Sequence, residues 1–207
     1  MTQAAAIVQR TAVERLAQSV CAIQADAPML AKAAVHLLDW LGCAAHGSTS
    51  PQGLVFARWL ELQAQGYHPT LAGRSSDAAA AAAYHGALGS ALEMDDVHRS
   101  SILHPGPVVI PAALAASGPE TSGAHLLNGI ARGYEAMIRV GRALGPSHYR
   151  YWHTTSTAGS FGAAAAAATV MHLGPDRTAQ ALAIAGTRSG GLWQVRHEPS
   201  MGKAWHT

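Results

Sequence analysis

The sequence predicts an all-α protein, and three observations carry that prediction. Apolar residues recur at three- and four-residue spacings through most of the chain, alanine is concentrated in two tracts, and β-branched runs are nearly absent. With 207 residues, 49% of them apolar and only 13% charged, the chain can build one sizeable core and lacks the composition of a disordered segment. A single domain over residues 1–207 is expected.

Val13, Leu16, Val20 and Ile23, then Leu30, Ala34, Leu37, Leu38 and Leu41, keep helical spacing from about Ala12 to Ala45. Asp26 to Pro28 interrupts that span, so it reads as two helices, the second ended by Gly47-Ser48-Thr49-Ser50-Pro51. A third helix is expected over Leu54–Gln65, followed by a polar connection from Gly66 to Asp77. The tract Ala78–Ala83 opens a helix that begins near Asp77 and is expected to carry through to Asp96 or slightly beyond. There HPGP, at His104 to Pro107, forces a turn. Val108-Val109-Ile110 is the one β-branched run, and Pro107 and Pro111 bracket it too tightly for a central strand. Leu126–Leu144 and Asp176–Leu192 read as helices. Between them lies the second tract, Ala163–Ala168, beside Phe161. Both tracts read as closely packed buried helices, because alanine favours the helix and lets neighbours approach.

The formal net charge is +2, and the basic residues are scattered, so neither nucleic acid nor an anionic membrane is indicated. The apolar runs are too short to span a bilayer, and MTQAAAIVQRTAVERLAQ at the amino terminus has no continuous apolar core, so no export signal is expected. The two cysteines, Cys21 and Cys43, lie in helical segments and read as buried free thiols of a reducing compartment, which places the protein in the cytoplasm.

One stretch breaks the pattern. ALEMDDVHRSSILHPG, residues 91–106, holds three carboxylates, two histidines and an arginine in a chain otherwise poor in charge. The cluster falls at a helix end and in the loop after it, where chemistry usually sits on a rigid scaffold. A solvated helix end with a local ion pair among Asp95, Asp96 and Arg99 is the competing explanation. Of the twelve histidines, His36, His68 and His172 read as core or surface residues with a local hydrogen bond. No HExxH pair and no close cysteine pair is present, so no metal is expected. The GxGxxG, GxxxxGK[ST] and GxSxG patterns are also missing, which removes the minimal feature of dinucleotide, nucleotide and serine-hydrolase readings.

Five segments, in order, resemble the MmgE/PrpD family, which includes 2-methylcitrate dehydratases and cis-aconitate decarboxylases. They are VHLLDWLGCAAHG (35–47), ALEMDDVHRSSILHPGPVVIPAALA (91–115), GYEAMIRVGRALGPSHYRYWHTTSTAGSFGAAAAAA (133–168), ALAIAGTRSGGL (181–192) and SMGKAWHT (200–207). The resemblance implies a helical domain completed in relatives by a smaller α+β lid, with the active site in the cleft between them. Only the first part of the helical domain is matched. The resemblance further implies catalytic roles for His104, His153, Lys203, Asp96 and Glu93, the last standing where relatives usually have aspartate. Substrate contacts are implied for Asp95, His98, Arg99 and His206. Val97 stands where relatives commonly place threonine.

These residue types suit the implied chemistry. Dehydrating or decarboxylating a small polycarboxylate moves a proton at a carbon beside a carboxylate, which needs an acid/base group near neutral pKa and a cation for the developing charge. Imidazole meets the first need, and Lys203, one of two lysines in the chain, meets the second. The expected protein is thus a hydro-lyase of the 2-methylcitrate dehydratase type, needing no cofactor and no metal. Decarboxylation or isomerisation is the nearest alternative. Its expected partners are a small polycarboxylate and either further copies of itself or a second, lid-bearing chain. A catalytically silent helical interaction or dimerisation module is the competing class.

Overall fold

A computed structural model describes residues 9–198 and 202–205. The helices begin where local chemistry starts them. Thr11 and Glu14 form a capping box for α1 (Ala12–Cys21), each side chain bonding the other's backbone N–H. Asp26 caps α2 (Ala27–Ser48), Ser50 caps α3 (Pro51–Glu61), Asp77 caps α4 (Ala78–Ser90), and each accepts the N–H three residues on, at 2.9–3.0 Å. A hairpin of two-residue strands, β1 (His68–Pro69) and β2 (Ser75–Ser76), joins α3 to α4 and pairs His68 with Ser76. The fold is otherwise all-α, as the sequence predicts.

The remaining elements are α5 (Gly106–Ala115), α6 (Gly123–Ala143), the short α7 (Pro146–Tyr149), α8 (Thr154–Val170), α9 (Pro175–Gly186), a 3-10 turn at Trp193–Arg196, and α10 (Gly202–Trp205). α6 and α8 form the closest pairing. A Cβ built on Gly133 of α6 would lie 2.5 Å from Val109 Cγ1, 2.8 Å from Ala166 Cβ and 2.9 Å from the Gly162 carbonyl oxygen. Glycine and the second alanine tract therefore set how near these backbones come. Around this crossing lies the core, with Leu88, Leu103, Val109, Ile110, Ile130 and Met137 fully buried.

Three sequence expectations change. α4 stops at Ser90 rather than Asp96: Glu93 turns to a φ of +54°, Asp95 leaves the helix for His104 of the same loop, and Asp96 leaves it for partners on α2, α5 and α6. α9 stops at Gly186 rather than Leu192. After it Gly191 takes φ +91°, and the Gly190 and Gly191 carbonyls accept from the Thr157 hydroxyl and the His153 N–H. α3 runs three residues earlier than expected at its start and ends at Glu61, because Pro51 sits in the first turn, where its missing N–H is not needed. Val108-Val109-Ile110 is helical, within α5. Pro107 occupies the first turn there, and Pro111 is tolerated in the buried interior of a short helix.

Both cysteines are free. Cys43 is buried as expected, whereas Cys21 is half-buried, 3.5 Å from the Thr178 hydroxyl. No helix among the described residues is long and apolar enough to cross a membrane.

Candidate active site

Three pieces of backbone converge. The loop from Ala91 to Pro105, between α4 and α5, carries Glu93, Asp95 and His104. His153 is the residue on which α8 starts, and α10 carries Lys203. Together with Ser90, these five side chains line a narrow slot.

His104 Nδ1 lies 3.0 Å from Asp95 Oδ2. Asp95 is almost entirely buried, its side chain 4% exposed. The Asp95 carboxylate raises the His104 pKa above the ordinary imidazole range; burial opposes this, and Glu93 adds to it. His104 is thus held toward its protonated form near neutral pH. Its backbone N–H donates to Thr155 Oγ1 at 3.1 Å, tying the loop to α8.

His153 is buried, its Nδ1 2.9 Å from Ser156 Oγ and its ring tilted against Trp193 at a centroid distance of 4.4 Å. Lys203 pairs with Glu93, and its ammonium lies 6.0 Å from the centroid of the same Trp193 ring. The slot opens into a cavity of about 520 Å³ that shares Ser90, Glu93 and Lys203 with it and adds Tyr149, Trp193 and Arg196. The Arg196 guanidinium lies over the Trp193 ring, 5.7 Å from its centroid, so two cations border one indole.

The other residues singled out from the sequence lie elsewhere. Asp96 does not line the slot. Its Oδ2 accepts from Tyr134 OH at 2.9 Å and sits 3.0 Å from His36 Nδ1, while its Oδ1 accepts the Gly106 N–H at 2.9 Å. Burial pushes its pKa up, but His36, Gly106 and Tyr134 together outweigh burial and hold it below the usual carboxylate range. His98 turns away to Ser101 Oγ, 3.1 Å from its Nδ1, and its backbone N–H closes the loop onto the Leu103 carbonyl. Arg99 and Val97 are exposed and do not border the slot. His206 lies outside the described residues.

Sequence reasoning missed Ser90, Thr155, Tyr134 and Arg196, and it read His36 as a residue with only a local bond. Thr155 had a signal, standing two residues after His153 in WHTTST. His36 had none, since its partner Asp96 is brought to it only by the packing of α2 against α5 and α6. Among the described residues, no group of three or more His, Cys, Asp or Glu side chains is arranged to hold a metal ion.

A family model described as the MmgE/PrpD N-terminal domain matches residues 14–207. The cis-aconitate decarboxylase-like protein oryM of Aspergillus oryzae is 32% identical over 192 residues, covering 87% of this chain and 40% of that protein. The cis-aconitate decarboxylase of Aspergillus terreus is 29% identical over 195 residues, covering 86% of this chain and 38% of its own length. The chain therefore spans about two-fifths of the length of these curated relatives. A match that runs through α1 to α10 and takes in every residue of the slot leaves one conclusion: the chain belongs to the MmgE/PrpD family, matching its N-terminal domain.

Proposed function

We propose that this protein is a lyase acting on a small polycarboxylate by proton transfer, with His104 as the proton donor. The observation that carries the reading is the pairing of His104 with the buried carboxylate of Asp95, in a slot that also holds His153 and Lys203. An imidazole whose protonated form is favoured by a neighbouring carboxylate is suited to give a proton to carbon. In a decarboxylation of the cis-aconitate type, the bond to one carboxyl carbon breaks and CO2 leaves. The electron pair moves into the adjoining unsaturated system, and the His104 imidazolium delivers its proton to the carbon that gains electron density. Water then restores the proton. Lys203 and Arg196 hold the remaining carboxylates and offset the developing charge. The names of the two Aspergillus relatives favour this reaction.

Dehydration of a 2-methylcitrate-like hydroxy acid is the second reading, favoured by the presence of two imidazoles on one slot. One would take the proton from carbon while the other protonates the departing hydroxyl. Neither route calls on a cofactor. Glu93 and Lys203 remain 52% and 32% exposed beside the open cavity, which supports a lid-bearing second polypeptide as part of the working enzyme.

The test is to assay the chain alone, and then with the product of any adjacent reading frame, on cis-aconitate and 2-methylcitrate. CO2 release and dehydration are followed with and without a chelator. The expected result is turnover only in the combined preparation, unchanged by chelator, and reduced roughly 10²–10⁴-fold by His104→Ala, the scale of general acid catalysis. Full turnover by a His104→Ala preparation overturns the assignment of the proton donor. Folded protein with no turnover in any combination favours the silent helical module.

A further inference from the structure

We infer that Asp96 is a positioning residue: by gripping the backbone of Gly106 it holds the His104 turn, and thereby the contact between His104 and Asp95, in place. The inference rests on the reading of His104 given above.

Asp96 is mostly buried, its side chain 15% exposed, and three different elements address it. His36 comes from α2, Gly106 begins α5, and Tyr134 comes from α6. The residue before α5, Pro105, has no side chain able to cap it, so the first turn of this ten-residue helix takes its acceptor from across the loop. A carboxylate there also meets the positive end of the helix. The approach depends on glycine, because a Cβ at position 106 would lie 2.8 Å from Asp96 Oδ1 and 3.3 Å from the Tyr134 hydroxyl.

The consequence for His104 follows from adjacency. Asp95 and Asp96 are consecutive, and they hold the two ends of one His-Pro-Gly turn: Asp95 meets the imidazole of His104, and Asp96 the amide of Gly106. Between these ends Pro105 fixes its own φ at −75°, leaving the turn little freedom. The loop that departs from Asp96 is closed by the His98 N–H to Leu103 C=O bond and pinned by Thr155, so it cannot take up slack. If Asp96 lets go of Gly106, the turn carrying His104 moves relative to Asp95. The ionisable groups facing His104 are Asp95, Glu93, Lys203 and His153. Asp96 is not among them, so its effect on His104 passes through the backbone.

The experiment follows the His104 imidazole by NMR through a pH titration, together with hydrogen exchange of the Gly106 amide, in the unmodified chain, Asp96→Asn and Tyr134→Phe. In Asp96→Asn the His104 midpoint is expected to fall toward that of an ordinary imidazole. The Gly106 amide should exchange about fivefold faster or more, because the asparagine amide oxygen that replaces the carboxylate is a neutral and weaker acceptor. Tyr134→Phe removes one bond to Asp96 without changing any charge near neutral pH, so it separates repositioning from the simple loss of a negative charge. A smaller downward move of the same midpoint is expected there. If the His104 midpoint stays in place in Tyr134→Phe, the inference is overturned, and that variant decides the matter even if Asp96→Asn does not fold. Faster Gly106 exchange with an unmoved His104 in both variants would make Asp96 a helix cap only. No turnover is measured, so an inactive enzyme with the expected titration would sink the proposed function and leave this inference standing.

Discussion

The α6–α8 crossing makes a prediction whose sign depends on packing. Replacing a helical glycine by alanine ordinarily stabilises by up to about 1 kcal/mol, because alanine loses less backbone entropy on folding. At Gly133 the new methyl would meet Val109 Cγ1 at 2.5 Å, Ala166 Cβ at 2.8 Å and the Gly162 carbonyl oxygen at 2.9 Å. Two of these obstacles are a Cβ and a backbone oxygen, which have no side-chain rotation by which to retreat, so α6 and α8 must separate. Overpacking of this kind costs about 1–3 kcal/mol, and it should fall at the upper end here, leaving Gly133→Ala destabilised by about 1–2 kcal/mol net. For a chain of this size that lowers Tm by about 2–8 °C. Gly42, inside α2, is the internal control: a Cβ there meets nothing within 4 Å, so Gly42→Ala should raise Tm by about 1–4 °C. Thermal melts followed by far-ultraviolet circular dichroism on the two variants and the parent would decide it. A Gly133→Ala protein that melts with or above the parent, or two variants that shift the same way, would refute the close crossing.

Further expectations concern pH, assembly and ligand contact. His85 is buried and accepts the Leu71 N–H through Nε2, and burial pushes its pKa down to about 4 from 6.5. The unfolded chain then binds the proton that the folded chain refuses, so this stabilisation is whole above about pH 6.5 and fades as pH falls toward 4, by about 3 kcal/mol in all. A His85→Gln protein whose Tm falls as steeply over that window as the parent's would contradict it. Val35, Leu38 and Leu41 of α2 and Leu54 and Val55 of α3 are 45–69% exposed, an apolar surface that should drive assembly with itself or with a second chain; a monodisperse monomer in light scattering at micromolar concentration would count against this. Under the proposed function, Arg196→Ala should raise the KM for a tricarboxylate while leaving kcat nearly unchanged. A fall in kcat alone would place Arg196 outside substrate binding.

What the sequence by itself determined was local. Thr11, Asp26, Ser50 and Asp77 cap helices through bonds to residues three positions on, and such bonds are written in short spacing. The alanine tracts likewise announce buried helices, because propensity and small volume are properties of the residues themselves. The motif resemblance identified the family, and the structure brings Glu93, Asp95, His104, His153 and Lys203 to one slot. What only the tertiary structure decided was the destination of each charged side chain. Asp95 and Asp96 are indistinguishable as neighbours in a string, yet one meets His104 and the other meets Gly106, His36 and Tyr134. The same competition ends α4 at Ser90: a carboxylate that finds partners on distant helices gains more than another turn of helix offers it. Those partners come together only when α2, α5 and α6 pack, so no short-range pattern could have revealed them.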